Sequence, residues 1–162
     1  MKYQEIIKRL ESSGSTKAVE GMKRFGITPR KAGVSMPVLR VMAKKIGTDH
    51  GLAGRLWEKE TRILASMIED PALTTGKRMD SWAAEFDYWE ICDQCCMNLF
   101  WKTPHAWKKA AEWSSSKGEF VKRAGFALMA VLAWKDRTAN DRDFERLLKF
   151  VKRNLRTSVK MS

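Results

Sequence analysis

The chain has 162 residues, 44% of them hydrophobic and 31% charged, which is long enough to bury one core unaided and argues against a disordered or membrane protein. Its formal charge of +12, from 31 lysines and arginines against 19 acids, points to a polyanionic partner, nucleic acid first, with a basic but functionally silent surface as the alternative. The longest apolar run, Ala124 to Trp134, is far shorter than a bilayer span, and Glu5 and Glu11 make the N-terminus unlike a signal peptide. A cytoplasmic monomer with no membrane attachment and no cofactor is the expectation, a single domain over residues 1–162.

Glycines, prolines and short polar clusters cut the sequence into segments with a 3.6-residue apolar period, and none reads clearly as a strand. The pattern predicts a first helix on Tyr3, Ile6, Ile7 and Leu10, closed by Ser12, Ser13 and Gly14, and a second from Thr16 to Arg24. Phe25 to Pro37 is the longest irregular connection, either a loop facing a ligand or a plain connector. Pro37 suits the first turn of a helix that ends at Gly47, and Asp49 suits the cap of one carrying Leu52, Ala53, Leu56 and Trp57. Glu60 to Glu69 and Thr75 to Phe86 supply two more helices.

The stretch Asp87 to Cys96, DYWEICDQCC, gathers acids, two aromatics and all three cysteines on one predicted helix. At about 100° per residue, Tyr88, Cys92, Cys95, Cys96 and Leu99 share an apolar stripe, with Trp89, Asp93 and Phe100 on its flank. Asp93 therefore sits at the edge of the buried face, the setting of both structural ion pairs and reactive acids. The C-x2-C-C spacing, with only His50 and His105 as further soft ligands, is not a zinc pattern. No metal site is expected, and the cysteines read as reduced core residues.

A break at Trp101 to Pro104 precedes a short helix with Trp107, Ala110, Ala111 and Trp113. The next helix, Glu119 to Trp134, is apolar or small all round beyond Arg123, so it is expected to be buried on most sides. Lys122 and Arg123 occupy its first turn, where the dipole disfavours cations unless a phosphate or a carboxylate lies opposite. The last amphipathic helix, from about Asp141 to Arg153, carries Phe144, Leu147, Leu148 and Val151 on its apolar side. Its other face carries Arg142, Arg146, Lys149, Lys152 and Arg153, which reads equally as a solvated face or a phosphate-tracking surface. Short consecutive helices predict an all-α fold of antiparallel pairs, stacked as a solenoid or a compact array.

Four blocks in order, GVSMPVLRVMAKKIG (Gly33 to Gly47), LAGRLWEKETRILASMIED (Leu52 to Asp70), FDYWEICDQCC (Phe86 to Cys96) and FVKRAGFALMAVLAW (Phe120 to Trp134), resemble the DNA alkylation repair family of HEAT-like-repeat DNA glycosylases. The resemblance implies a HEAT-like stack of helical pairs whose concave basic face holds duplex DNA. It also implies hydrolysis of the N-glycosidic bond of alkylated purines such as 7-methylguanine or 3-methyladenine. The family's W-x3-D pair falls on Trp89 and Asp93, and its active-site arginine is most similar to Arg123. In those roles Asp93 stabilises charge on the sugar, Trp89 is the wall beside it and Arg123 clamps a phosphate, with Lys122, Arg142, Arg146, Lys149, Lys152 and Arg153 as further DNA contacts. Such proteins continue through further helices with another active-site tryptophan in a WALR-like segment, whereas these residues stop at Ser162 soon after RNLRTSVK. Tyr3 lies too early to match the family's substrate-contacting tyrosine. The alternative function is a non-catalytic HEAT-like module that binds DNA or a protein partner through the same face.

Overall fold

A computed structural model describes residues 1–24, 33–58 and 61–160, and among these it holds ten α-helices and no β-strand. Their packing divides the chain into two compact units, Met1–Leu73 and Thr74–Ser162.

The first unit contains α1 (Tyr3–Ser13), α2 (Thr16–Arg24), α3 (Met36–Ile46), α4 (His50–Glu58) and α5 (Arg62–Ile68). Most of the irregular connection expected from Phe25 to Pro37 lies outside the described residues; of its end, Gly33 has φ +52°, and a Cβ there would meet Val19 Cγ2 at 2.7 Å. Pro37 sits in the first turn of α3, where a missing N–H leaves no helical bond unmade, and Gly47 closes that helix at φ +76°. Asp49 caps α4 as its position predicts, its Oδ1 accepting the Leu52 N–H at 2.9 Å. Asp49→Ala is therefore expected to cost about 1 kcal/mol, read as a lower urea midpoint at unchanged slope.

The helix expected from Glu60 to Glu69 is shorter, because the Thr61 side chain turns back to the Leu56 carbonyl at 2.8 Å and its backbone leaves the helical region. That turn makes α4 and α5 an antiparallel hairpin. Its open end is tied by Asp49 N–H to the Ile68 carbonyl at 2.8 Å and by His50 Nδ1 to the buried Glu69 carboxylate. Ile6, Leu10, Leu39, Leu56, Leu64 and Ile68 form the core of this unit. Tyr3 lies under the Arg55 guanidinium, 4.5 Å from ring centre to Cζ.

The second unit contains α6 (Gly76–Ala84), α7 (Trp89–Asn98), a 3-10 turn at Phe100–Lys102, α8 (Ala106–Ser114), α9 (Glu119–Lys135) and α10 (Asp141–Lys160). Thr75 caps α6 by accepting the Arg78 N–H at 3.1 Å. The helices lie in two layers of parallel neighbours. In one, Asp80 of α6 accepts from Lys109 Nζ at 2.6 Å and Trp113 Nε1 at 2.9 Å on α8. In the same layer Trp107 of α8 packs on Phe144 of α10 at 5.1 Å, and Asn154 Nδ2 donates to the Ser114 carbonyl at 3.3 Å. The second layer is α7 beside α9.

Between the layers α8 and α9 run antiparallel, joined at one end by Trp107 Nε1 donating to Asp136 Oδ2 at 2.9 Å. At the other end Gly125 meets the α8 backbone so closely that a Cβ would lie 2.4 Å from Ser114 N. Gly125 is the helix glycine that the sequence pattern left unmarked. The burial expected all round α9 holds for Ala124, Leu128 and Leu132, but Ala130, Ala133 and Trp134 are exposed, so one face is open. No helix among the described residues is long and apolar enough to cross a membrane.

Candidate active site

Helix α7 starts later than its pattern suggests: Tyr88 is extended, at φ −156° and ψ 161°, and Trp89 is the first helical residue. Asp87 and Tyr88 thus precede the helix. Cys92, Cys95 and Cys96 are fully buried and unbridged. Cys92 Sγ donates to the Phe120 carbonyl and Cys96 Sγ to the Ala124 carbonyl, both at 3.5 Å. Because both partners advance by four residues, the two contacts fix α7 and α9 parallel and in register. Burial, and after it the neighbouring Cys92, pushes the Cys96 thiol well above its usual range. A protonated thiol is a poor nucleophile and a poor ligand. The cysteines pack the helices, as their place on the apolar stripe suggested.

That register brings Asp93 on α7 opposite Arg123 in the first turn of α9. Arg123 Nε donates to Asp93 Oδ1 at 2.9 Å and Nη2 to Oδ2 at 2.7 Å, a bidentate fork. The pair is open to solvent, with 30% of the Asp93 side chain and 46% of the Arg123 side chain exposed. The Asp93 carboxylate holds the Arg123 pKa above its ordinary value, against a smaller opposing effect of burial. Trp89, one turn before Asp93, is 39% exposed, and Arg123 Cζ lies 6.0 Å from its ring centre. An acid, a cation and an indole face thus share one solvent-facing ledge. The cationic first turn of α9 is explained by the carboxylate opposite it.

The remaining predicted positions are arranged differently. Phe100, expected on the flank with Trp89 and Asp93, is fully buried, because α7 ends at Asn98 and the 3-10 turn carries the ring inward. There it lies 5.4 Å from Trp113, edge to face, and 6.3 Å from Phe86. Lys122 is next to Arg123 in sequence but about 100° further round the helix. Arg142, Arg146, Lys149, Lys152 and Arg153 are all exposed on α10, on the side opposite Phe144 and Leu147. They belong to the layer of α8, whereas the Asp93 pair belongs to the layer of α7 and α9.

Two features escaped the sequence pattern. Lys109 is nearly buried yet charged: burial would lower its pKa, but Asp80 and Glu112, at 2.6 and 2.9 Å, outweigh that and hold it above the ordinary lysine range. Glu90, the other carboxyl of α7, has its pKa raised by partial burial. The Asp80–Lys109 bond is not visible in sequence because its partners are 29 residues apart, and the burial of Glu90 depends on its neighbours in space.

The layered helical pairs and the acid–guanidinium ledge define a helical-repeat protein with a polar site between two parallel helices, α7 and α9. The model of the DNA alkylation repair enzyme family matches residues 6–161, and the chain belongs to that family. A solved structure described as one of "a new family of proteins related to the HEAT-like repeat DNA glycosylases with affinity for branched DNA structures" superposes with a TM-score of 0.73 at 17% identity, covering 93% of this chain and 74% of that one. At that identity the likeness is one of fold, and the fold is all-α and HEAT-like, as the resemblance implied. No curated protein matches the chain.

Proposed function

We propose that this protein is a DNA-alkylpurine glycosylase, hydrolysing the N-glycosidic bond of purines such as 7-methylguanine or 3-methyladenine in duplex DNA. The observation that carries the reading is the exposed Asp93–Arg123 fork beside the Trp89 ring. An N-alkylated purine is already cationic, so it leaves with the bonding electron pair as a neutral base and needs no proton from the enzyme. What the site must supply is stabilisation of the positive charge that grows on the deoxyribose, and a place for the water that replaces the base. That water adds its hydroxyl to C1′ and loses a proton to solvent, leaving an abasic sugar.

A carboxylate offers about four lone-pair positions, and the bidentate guanidinium occupies two. Asp93 can therefore face a cationic sugar while Arg123 still orients it. A phosphate of the bound strand competes for the same guanidinium fork, and each bond it takes from Asp93 leaves more negative charge facing the sugar. Trp89 supplies the π-face against which the cationic base or sugar rests. Family membership and the charge of +12 support DNA as the partner.

Incubating the protein with duplex DNA carrying 7-methylguanine and quantifying the free base tests the reading. Release no faster than from the DNA alone would overturn it. DNA binding without release would then favour the second reading, a non-catalytic module, which the branched-DNA affinity of the related solved protein supports by analogy. If Lys122, Arg142, Arg146, Lys149, Lys152 and Arg153 each neutralise one phosphate, log affinity falls with log salt at a slope of about −5. Between 50 and 200 mM salt that is a loss of roughly 10³-fold. A flat response in a binding titration rules those six residues out as a phosphate-tracking set.

A further inference from the structure

Trp134 stands three turns beyond Arg123 on α9, on the same side of the helix, about 17 Å along the axis. Between them the line from Arg123 to Trp134 passes over Ala127 and Ala130, with Phe126 at its edge. The Trp134 side chain is unlike the other indoles of α7, α8 and α9 in its exposure, 57% against 39% for Trp89 and 5% for Trp113. Lys135 Nζ lies 3.8 Å from the Trp134 ring centre. The 3-10 turn that follows α7 packs against α9, and its Lys102 has its pKa lowered by partial burial and, after that, by the Lys135 charge.

The Lys102 and Lys135 charges oppose one another, and among the described residues neither lysine makes an ion pair. The carboxylate next in sequence, Asp136, is committed elsewhere: its oxygens accept from Trp107 Nε1 at 2.9 Å, Thr138 N and Oγ1 at 2.9 and 2.7 Å, and Ala139 N at 3.2 Å. An exposed indole with one unneutralised ammonium over its ring and a second in that lysine's neighbourhood offers a nucleotide a π-surface for its base and positive charge for its phosphate. In a continuous duplex both faces of every base are already stacked, so an indole lying flat can take only a base that has left the stack.

We infer that Trp134, Lys102 and Lys135 form a second nucleic-acid contact that takes an unpaired nucleotide, its base on the indole and its phosphate at the two ammonium groups. The inference rests on the reading that this chain binds DNA. It adds a preference for duplexes with a single-stranded overhang, set by residues outside the Asp93 ledge.

The test is the affinity of the full chain for a blunt duplex and for the same duplex with a short oligothymidylate overhang, measured by fluorescence anisotropy. The wild type is expected to favour the overhang, and Trp134→Ala to lose about tenfold on it, within the range for removing one base–aromatic stack, while blunt-duplex affinity stays unchanged. Trp134→Phe should keep part of the preference, and Lys102→Ala with Lys135→Ala should weaken it and flatten its salt dependence. Because Trp134 is exposed, an unchanged melting curve for Trp134→Ala separates this from misfolding. A wild type that binds both duplexes equally, or a preference that survives in Trp134→Ala, overturns the inference while leaving DNA binding intact. A wild type that binds neither duplex removes the DNA reading and this inference together.

Discussion

Asp93→Asn is expected to lower the release of 7-methylguanine by about 10²- to 10³-fold, the usual effect of removing one preorganised electrostatic group from a transition state. Asparagine preserves shape and can still accept one hydrogen bond from Arg123, but it brings no negative charge to a cationic sugar. The competing account, in which Asp93 only ties α7 to α9, makes the opposite forecast. Ion pairs as exposed as this one contribute about 0–1 kcal/mol. In a chain of this length that corresponds to a melting shift of no more than about 4 °C. Activity and stability therefore separate the two accounts: a large loss of release with a small melting shift assigns Asp93 to catalysis, and a melting shift with undiminished release assigns it to structure. Arg123→Ala should weaken DNA binding as well as release, because it removes a phosphate ligand and leaves the carboxylate without its orienting partner.

Gly125→Ala is the substitution expected to damage the fold most. The new Cβ would stand 2.4 Å from Ser114 N, 2.8 Å from Ser114 Cα and 2.8 Å from the Trp113 carbonyl carbon, all backbone atoms of α8. No side-chain rotation relieves such a contact, so the two helices must part. Overpacking usually costs about 1–3 kcal/mol, and a clash this close with rigid backbone belongs at the upper end, about 3 kcal/mol. The gain of about 1 kcal/mol in helix propensity offsets part of that, leaving a net loss of about 2 kcal/mol, or roughly 4–8 °C in Tm for a chain of this length. Gly21→Ala on α2 is the control, since a Cβ there meets nothing within 4 Å and the propensity gain should appear undiminished. A Tm for Gly125→Ala equal to or above the wild type would contradict the close crossing. Because Arg123 is only two residues away on the same helix, any parting of α8 and α9 also reaches the Asp93 fork.

The helices were legible where local chemistry decides them. Asp49, Thr75, Pro37 and Gly47 mark ends by capping and by backbone freedom, which act within a few residues, and the structure keeps each of them near its predicted place. The Asp93–Arg123 pairing was half legible. The sequence shows a carboxylate at the edge of a buried face and, thirty residues later, a cation at a helix N-terminus that needs an anion. It does not show that each answers the other, because their meeting depends on the register of α7 against α9. Phe100 was misplaced for a related reason: extending a helical wheel past Asn98 assumed a helix that the 3-10 turn ends. The open face of α9 was hidden by composition, since alanines and a tryptophan read as core whether or not a neighbour covers them. Gly125 did leave a signal, an isolated glycine in the interior of a strong helix, which costs stability unless something must come close.

The paired contacts of Cys92 and Cys96 with the Phe120 and Ala124 carbonyls also make the site a clock for its own opening. All three thiols have no exposed surface, so a thiol reagent reaches them only when α7 lifts from α9. The rate of labelling in the native protein, compared with that of the unfolded chain, measures how often α7 and α9 separate. A phosphate or an alkylated nucleotide gripping the ledge would slow that labelling by stapling the two helices together, reporting occupancy without any chemistry having occurred.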